Sequence, residues 1–155
     1  MEVVQILSLV SPFVTSVVIA ATFIYQMRVS HRQKMLDVAS DFNKRYDDIL
    51  YVMLPKVGKD VPVEAYYHRF WNLQVDQYHA WQLGFVPNSY FAYWMQERHL
   101  EAKENQSVGG VPFQECWKSA KLGLRDKEFA GFMEVVITDS VETAMRRYPP
   151  KRRRM

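Results

Sequence analysis

The sequence is poor in cysteine, since Cys116 is the one cysteine among 155 residues. A single thiol cannot form a disulfide within the chain, and it cannot build a cysteine-cluster metal site. Charge is missing from one long stretch, because no Asp, Glu, Lys or Arg occurs between Val3 and Met27. Sustained alternation of apolar and polar residues, the pattern typical of strands, is absent as well. These absences exclude a disulfide scaffold and favour a helical protein with an apolar N-terminal segment.

The uncharged stretch predicts an N-terminal transmembrane helix over residues 1–27. A helix of its 25 residues spans about 37 Å, more than the ~30 Å hydrocarbon core of a bilayer. The alternatives are a buried helix and a signal peptide, but a signal peptide begins with positive charge, and no Lys or Arg precedes this stretch. Arg28, Arg32 and Lys34 follow it instead, which predicts an outside N-terminus and a cytoplasmic C-terminal domain.

A stripe of small residues follows one face of the predicted membrane helix. Its members recur every four positions: Ser8, Pro12, Ser16 and Ala20. Small side chains allow another membrane helix to approach closely, so the stripe predicts a helix-packing surface. The alternative is that small residues are simply common in membrane helices.

The rest of the chain predicts an all-α fold, in which the N-terminal transmembrane helix continues into a stalk and a small helical bundle follows. The predicted segments are the anchor at 1–27, a juxtamembrane stalk helix at 28–54, a cytoplasmic helical bundle at 55–148 and a basic tail at 149–155. The stalk is predicted because apolar residues recur every three or four positions between Leu36 and Met53.

Local signals divide the bundle into further helices. One helix is predicted from about 63 to 83 and closed by Gly84, and the next begins with Asn88 or Ser89 as its N-cap. Gly109-Gly110 indicates a loop, after which a short helix begins at Pro112.

The last helical region is predicted to begin at Asp126, which acts as its N-cap. Pro149-Pro150 stops it. Whether it is one helix or is broken near Thr138-Asp139 stays open.

Aromatic residues are concentrated in one part of the predicted bundle. Eleven of the chain's twenty-two aromatic residues lie between Glu64 and Met95. They either fill the core or form a recognition surface, because Tyr and Trp are enriched at binding hot spots. We expect most of them to be core, with Tyr67, Trp71 and Tyr93 at its edges as contact residues for a partner protein.

No residue constellation in the sequence points to catalysis, a metal or a cofactor. His68 and His79 lie three helical turns apart, about 16 Å along the axis, too far to share one metal ion. Cys116 has no evident base beside it, and its apolar neighbours indicate a buried thiol. We therefore expect a protein that is not an enzyme.

The basic residues are unevenly distributed. Six of the twenty form a C-terminal cluster: Arg146, Arg147, Lys151, Arg152, Arg153 and Arg154. Without them, fourteen basic residues face seventeen acidic ones, so the body of the chain is mildly acidic. The basic cluster could bind nucleic acid or an acidic protein surface, or it could be a solvated tail without a partner. Beside a membrane anchor, anionic lipid head groups or a neighbouring membrane protein are the expected partners, and nucleic acid is not.

Several short segments between Leu36 and Val136 together resemble a known sequence pattern. They are Arg69-Phe70-Trp71, Trp81, Gly84-Phe85-Val86, Tyr93-Trp94-Met95, Val108-Gly109-Gly110 and Cys116-Trp117. The pattern is similar to that of uncharacterised bacterial single-pass membrane proteins with a short helical cytoplasmic domain of unknown function. The resemblance implies a bacterial origin and this architecture, and it transfers no catalytic residue.

The sequence therefore predicts a non-enzymatic, membrane-anchored interaction module in the inner (cytoplasmic) membrane. Its expected role is that of an accessory or assembly subunit of a bacterial inner-membrane protein complex. The alternative is a membrane-bound sensor or effector whose helical domain binds a small molecule or hides an enzyme site. An enclosed polar pocket within the bundle favours the alternative, whereas a wet polar face with an exposed aromatic patch favours the first. The partner complex and the oligomeric state stay open.

Overall fold

The structure, a computed structural model, describes the backbone of residues 2–151 and the side chains of residues 14–151. It confirms a mostly helical fold. The elements follow in the order α1 (Glu2–Asp47), a π-helix (Asp48–Met53), a 3₁₀ helix (Leu54–Lys56), α2 (Val63–Gln82), α3 (Asn88–Glu104), β1 (Ser107–Val108), β2 (Val111–Pro112), α4 (Phe113–Gly123), α5 (Lys127–Thr138) and α6 (Val141–Arg147). The chain divides into two compact units, Met1–Asp37 and Val38–Met155.

The first unit contains the N-terminal part of α1. Within the part of the chain that the structure describes, no helix is both long enough and apolar enough to cross a bilayer. The transmembrane helix predicted at 1–27 is therefore not shown. Side chains before Val14, including Ser8 and Pro12, lie outside the described residues.

The second unit begins inside the segment that the sequence assigns to the stalk. Ala39, Phe42, Ile49 and Met53 are buried and belong to the bundle core. The segment predicted as the stalk, 28–54, thus contributes residues to the core of the bundle. Periodicity identifies an apolar helix face, but it does not reveal whether that face is covered by residues more distant in sequence.

Helix α2 supplies much of the aromatic core. Trp81 stacks on Phe91 of α3 with ring centroids 4.3 Å apart, and Tyr78 lies 5.1 Å from the ring of Phe132 in α5. Trp81 and Phe132 are themselves in ring contact at 5.8 Å. Helices α2, α3 and α5 therefore meet around one aromatic cluster, as expected for rings that are mostly core.

The helix ends agree in part with the sequence signals. Asp126 accepts a hydrogen bond from the Phe129 N–H at 2.9 Å, which confirms it as the N-cap of α5. The prediction that Asn88 or Ser89 caps α3 is wrong, because Pro87 occupies the cap position. The Asn88 side chain instead accepts a hydrogen bond from Trp81 Nε1 at 2.9 Å.

The open question about the last helical region is also answered. It is broken, since α5 ends at Thr138 and α6 begins at Val141. Ser140 caps α6 by accepting a hydrogen bond from the Thr143 N–H.

A two-stranded antiparallel hairpin, β1–β2, occupies the predicted Gly109-Gly110 loop. Both glycines have positive φ, 58° and 82°, which other residues rarely adopt. A Cβ atom on Gly109 would lie 2.5 Å from Val63 Cγ2, so the tip of the hairpin lies directly against the start of α2. This contact fixes the hairpin beside the N-terminal end of α2.

Candidate functional site

A half-open groove lies between the first half of α2 and α4. Its volume is about 490 Å³, within the range of small-molecule sites. Both helices contribute residues at four-residue spacing, which places them on one helix face. We call it the α2–α4 groove; its lining side chains include Val63, Glu64, Tyr67, His68, Trp71 and Asn72 from α2, Glu115, Cys116, Ser119 and Ala120 from α4, and Val111 and Leu124.

Buried aromatic side chains form the floor of the groove. The Trp71 ring lies 4.9 Å from the ring of Trp117 and 5.4 Å from that of Phe113. Tyr67 is also buried, and its hydroxyl donates a hydrogen bond to the Val111 carbonyl at 3.1 Å. The floor is thus held by ring contacts and by bonds within the bundle, which makes it a preformed apolar surface.

The rim of the groove carries negative charge. Glu64 and Glu115 are exposed, and neither side-chain carboxylate forms a hydrogen bond or ion pair with any residue that the structure describes. Each lies in the first turn of its helix, where the positive end of the helix dipole favours a carboxylate. Among the described lining residues there is no lysine or arginine.

His68 is the remaining ionisable side chain on the α2 side of the rim. Asn72 Nδ2 lies 3.2 Å from His68 Nδ1, so the amide donates to that ring nitrogen when the histidine is neutral. The neutral ring then carries its proton on Nε2. His68 therefore makes its i, i+4 contact with Asn72.

Cys116 lies in the floor of the groove, and its thiol accepts a hydrogen bond from Trp71 Nε1 at 3.4 Å. Burial raises the pKa of this thiol from its ordinary value of 9.0 to about 11, and the Trp71 hydrogen bond offsets only part of that effect. The thiol is consequently protonated at neutral pH, which does not suit a nucleophile.

We expect alkylation of Cys116 by iodoacetamide at pH 8 to be at least about 100-fold slower in the folded chain than in the urea-unfolded chain. A pKa higher by about two lowers the thiolate fraction about 100-fold, and burial slows the reaction further. Because the chain has one cysteine, mass spectrometry of the intact protein measures the rate directly. Folded and unfolded rates within tenfold of each other contradict the prediction.

The three predicted protein-contact residues do not lie together. Tyr67 and Trp71 are buried in the floor of the α2–α4 groove, whereas Tyr93 of α3 is exposed and does not line it. Sequence reasoning missed Glu64 and Glu115 as rim residues. Their signal was weak, because a glutamate in a helix's first turn also has an ordinary capping role.

The other predicted site residues lie elsewhere. Ser16 and Ala20 are exposed in the first unit, and Arg146 and Arg147 are exposed on α6. The Lys151 ammonium pairs with Glu128 at 2.7 Å. Arg152, Arg153 and Arg154 lie outside the described residues.

The tail is fixed to the bundle as far as Lys151. Gln82 holds it twice, since its amide Nε2 donates to the Tyr148 carbonyl and its Oε1 accepts from the Lys151 N–H. The described part of the tail therefore lies at the C-terminal end of α2, whereas the α2–α4 groove involves the N-terminal half of that helix.

Comparisons with protein families, curated proteins and solved structures found no match to this chain. Within the described residues, no three His, Cys, Asp or Glu side chains are close enough together to hold a metal ion. Any function assigned to the α2–α4 groove therefore has to come from its own geometry and charge.

Proposed function

We propose that this chain is a non-enzymatic, membrane-anchored interaction module, an accessory or assembly subunit of a bacterial inner-membrane protein complex. The observation that carries the proposal is the exposed apolar surface of α1 in the first unit. Ile19 is 64% exposed, Phe23 62% and Met27 57%. Apolar surface of this kind marks contact with lipid or with another protein. The uncharged sequence extends back to Val3, which supports lipid as its surroundings.

The flanking charges support one orientation. Arg28, Arg32 and Lys34 follow the uncharged stretch directly, so the proposed topology has the N-terminus outside and the C-terminal domain in the cytoplasm. In this arrangement, Ser16 and Ala20 belong to the surface proposed for a partner's membrane helix.

Two arginines in the exposed apolar surface are expected to move the protein from the membrane fraction to the soluble or aggregated fraction. Ile19→Arg combined with Phe23→Arg places both charges on one helix face. An arginine costs about 2.5–3.5 kcal/mol at the centre of a membrane helix and less toward its ends, and both positions lie in the C-terminal half of the uncharged stretch. The measurement is the share of full-length chain that stays with membranes after carbonate washing.

The matched control for this experiment is Leu122→Arg in the second unit. Leu122 is the most exposed large apolar residue described, at 86%, and lies at the end of α4. The control is expected to stay with the membrane fraction like the unaltered chain. The anchor proposal fails if the double variant also remains fully membrane-bound.

The basic tail is proposed to contact anionic lipid head groups. Each basic residue near an anionic surface contributes about 1 kcal/mol. Because the Lys151 ammonium already pairs with Glu128, we assign most of the effect to the exposed Arg146 and Arg147 and to residues 152–154. Nucleic acid is not a proposed partner.

A second candidate function is supported by the α2–α4 groove, which is half-open with an apolar floor and so differs from the enclosed polar pocket expected for this alternative. A sensor or effector needs a preformed site for a small molecule, and a half-open groove of about 490 Å³ with a fixed aromatic floor has the required size and composition. In this case the second unit binds a ligand and the first unit holds it at the membrane.

A further inference from the structure

We propose that the α2–α4 groove binds an organic cation, whose apolar body lies on the Tyr67 and Trp71 floor and whose ammonium group lies at the Glu64 and Glu115 carboxylates. The inference rests on the second candidate function and names the ligand class for that site. It does not require the membrane anchor.

The dimensions of the groove favour a small molecule over a long peptide. The α2 residues that line it run from Val63 to Asn72, about 14 Å along the helix axis. Val63 and Val111 lie at one end, where the hairpin tip meets α2, and Leu124 is the lining residue that follows α4. A ligand with a short apolar body fits within this length.

The floor favours an apolar or aromatic body. Tyr67 and Trp71 have their polar atoms bonded within the bundle, to the Val111 carbonyl and the Cys116 thiol. Only a small part of each ring is exposed in the groove, 6% of Tyr67 and 3% of Trp71, so the half-buried Ala120 and Leu124 supply further aliphatic surface beside them.

The rim selects the sign of the ligand's charge. Some carboxylates of the second unit form an ion pair, such as Glu134 with Lys121 at 2.7 Å and Asp76 with Arg45 at 2.7 Å, whereas other exposed ones, such as Glu142, do not. Glu64 and Glu115 belong to the second group, but both line one groove that has no lysine or arginine in its described lining, so a bound cation would be their counter-charge. An anionic ligand meets only repulsion there, and a neutral one leaves the carboxylates unused.

The test compares three probes of similar size with different charge: benzyltrimethylammonium, benzyl alcohol and benzenesulfonate. The full chain is kept in a nonionic detergent. Tryptophan fluorescence measures binding, and its loss in the groove-filling variant Ser119→Phe assigns the binding to the groove. We expect benzyltrimethylammonium to bind at least about fivefold more tightly than benzyl alcohol, and benzenesulfonate to bind most weakly.

Variants assign the selectivity to the rim. Glu64→Gln and Glu115→Gln are each expected to weaken binding of the cation about two- to fivefold, the range of exposed charge pairs, and to leave benzyl alcohol unchanged. Glu142→Gln is the matched control, because Glu142 also lies in a helix's first turn but does not line the groove. Ser119→Phe is expected to fill the groove and to exclude all three probes. Unchanged far-ultraviolet circular dichroism shows that each variant is folded.

The results test two claims separately, that the groove binds a small molecule and that it prefers a cation. Equal binding of all three probes, stronger binding of benzenesulfonate, or cation binding that is insensitive to both glutamine variants overturns the inference while the groove remains a small-molecule site. A fluorescence response to none of the three probes, or a response that Ser119→Phe leaves unchanged, rejects the groove as a ligand site altogether. Membrane association of the Ile19 and Phe23 variant tests the anchor separately.

Discussion

Arg98→Met is expected to lower the free energy of unfolding by about 3–5 kcal/mol, the usual cost of removing one partner of a buried ion pair. Arg98 of α3 is only 2% exposed. Its guanidinium donates hydrogen bonds to Glu101 Oε1 at 2.8 Å and to the Tyr46 hydroxyl at 2.7 Å. It also lies 5.0 Å from the centre of the Phe70 ring. One side chain thus joins α1, α2 and α3.

The loss is expected to grow as the pH rises. Burial raises the pKa of Glu101 above its ordinary value of 4.5, although Arg98 lowers it in part. A carboxyl group whose pKa is higher in the folded than in the unfolded state contributes stability at a pH below its unfolded-state pKa. This contribution is lost as the pH rises through its folded-state pKa. Without Arg98 the pKa of Glu101 in the folded state rises further. The deficit of Arg98→Met relative to the unaltered chain is therefore larger at pH 8 than at pH 4.

A second variant isolates the unpaired carboxylate as the cause. Adding Glu101→Gln to Arg98→Met is expected to recover part of the stability at pH 8 and to flatten the pH dependence. Urea unfolding of the unaltered chain and of the Arg98→Met, Glu101→Gln and double variants in nonionic detergent, followed by circular dichroism, gives the four free energies of a double-mutant cycle. A deficit that is equal at pH 4 and pH 8, or unaffected by Glu101→Gln, contradicts this explanation.

Trp81→Ala is expected to cost about 3–5 kcal/mol, the range for removing a large aromatic side chain from a core. Trp81 is 1% exposed, and its ring is nearly parallel to that of Phe91, at an angle of 9°. It also contacts Tyr78 and Phe132. Removing it leaves a cavity where α2, α3 and α5 meet. The same urea titration measures the effect.

The matched controls separate packing from hydrogen bonding. Asn88→Ala keeps the ring but removes the acceptor of the Trp81 Nε1–H; because Asn88 is exposed and water can take its place, it is expected to cost about 0.5–1.5 kcal/mol, the net value of an ordinary hydrogen bond. Trp81→Phe keeps part of the ring contact and is expected to lie between Asn88→Ala and Trp81→Ala. If Trp81→Ala costs less than Asn88→Ala, the aromatic cluster does not hold the three helices together.

Much of the helical organisation was predictable because its signals are local. The helix predicted at 63–83 is observed as Val63–Gln82 and is followed by Gly84 with φ of 75°. The cap at Asp126 was predicted for the same reason, since a capping side chain bonds to a backbone group three residues away. Signals of this kind are contained in a few consecutive residues.

The features that could not be predicted depend on contacts between distant residues. Asn88 is a residue type that often caps helices, but its side-chain oxygen accepts a hydrogen bond from Trp81 of the preceding helix instead. Trp71 was expected at the edge of the core, yet Phe113 and Trp117 of α4 cover it. The α2–α4 groove exists only because of the spacing between two helices that are separated by α3 and the hairpin. The periodicity of the α2 sequence gives no information about the distance between α2 and α4.

The burial of Phe42, Ile49 and Met53 in the core has a consequence for anyone who wishes to express the second unit alone. A truncation at the predicted stalk boundary, residue 55, removes all three core side chains. The truncation also removes Tyr46, whose hydroxyl accepts a hydrogen bond from Arg98. It removes Asn43 as well, whose side-chain oxygen accepts a hydrogen bond from the Trp94 indole N–H at 3.2 Å. A fragment that begins at or before Val38 retains these partners, so the last part of α1 has to be treated as an integral helix of the bundle in any such truncation.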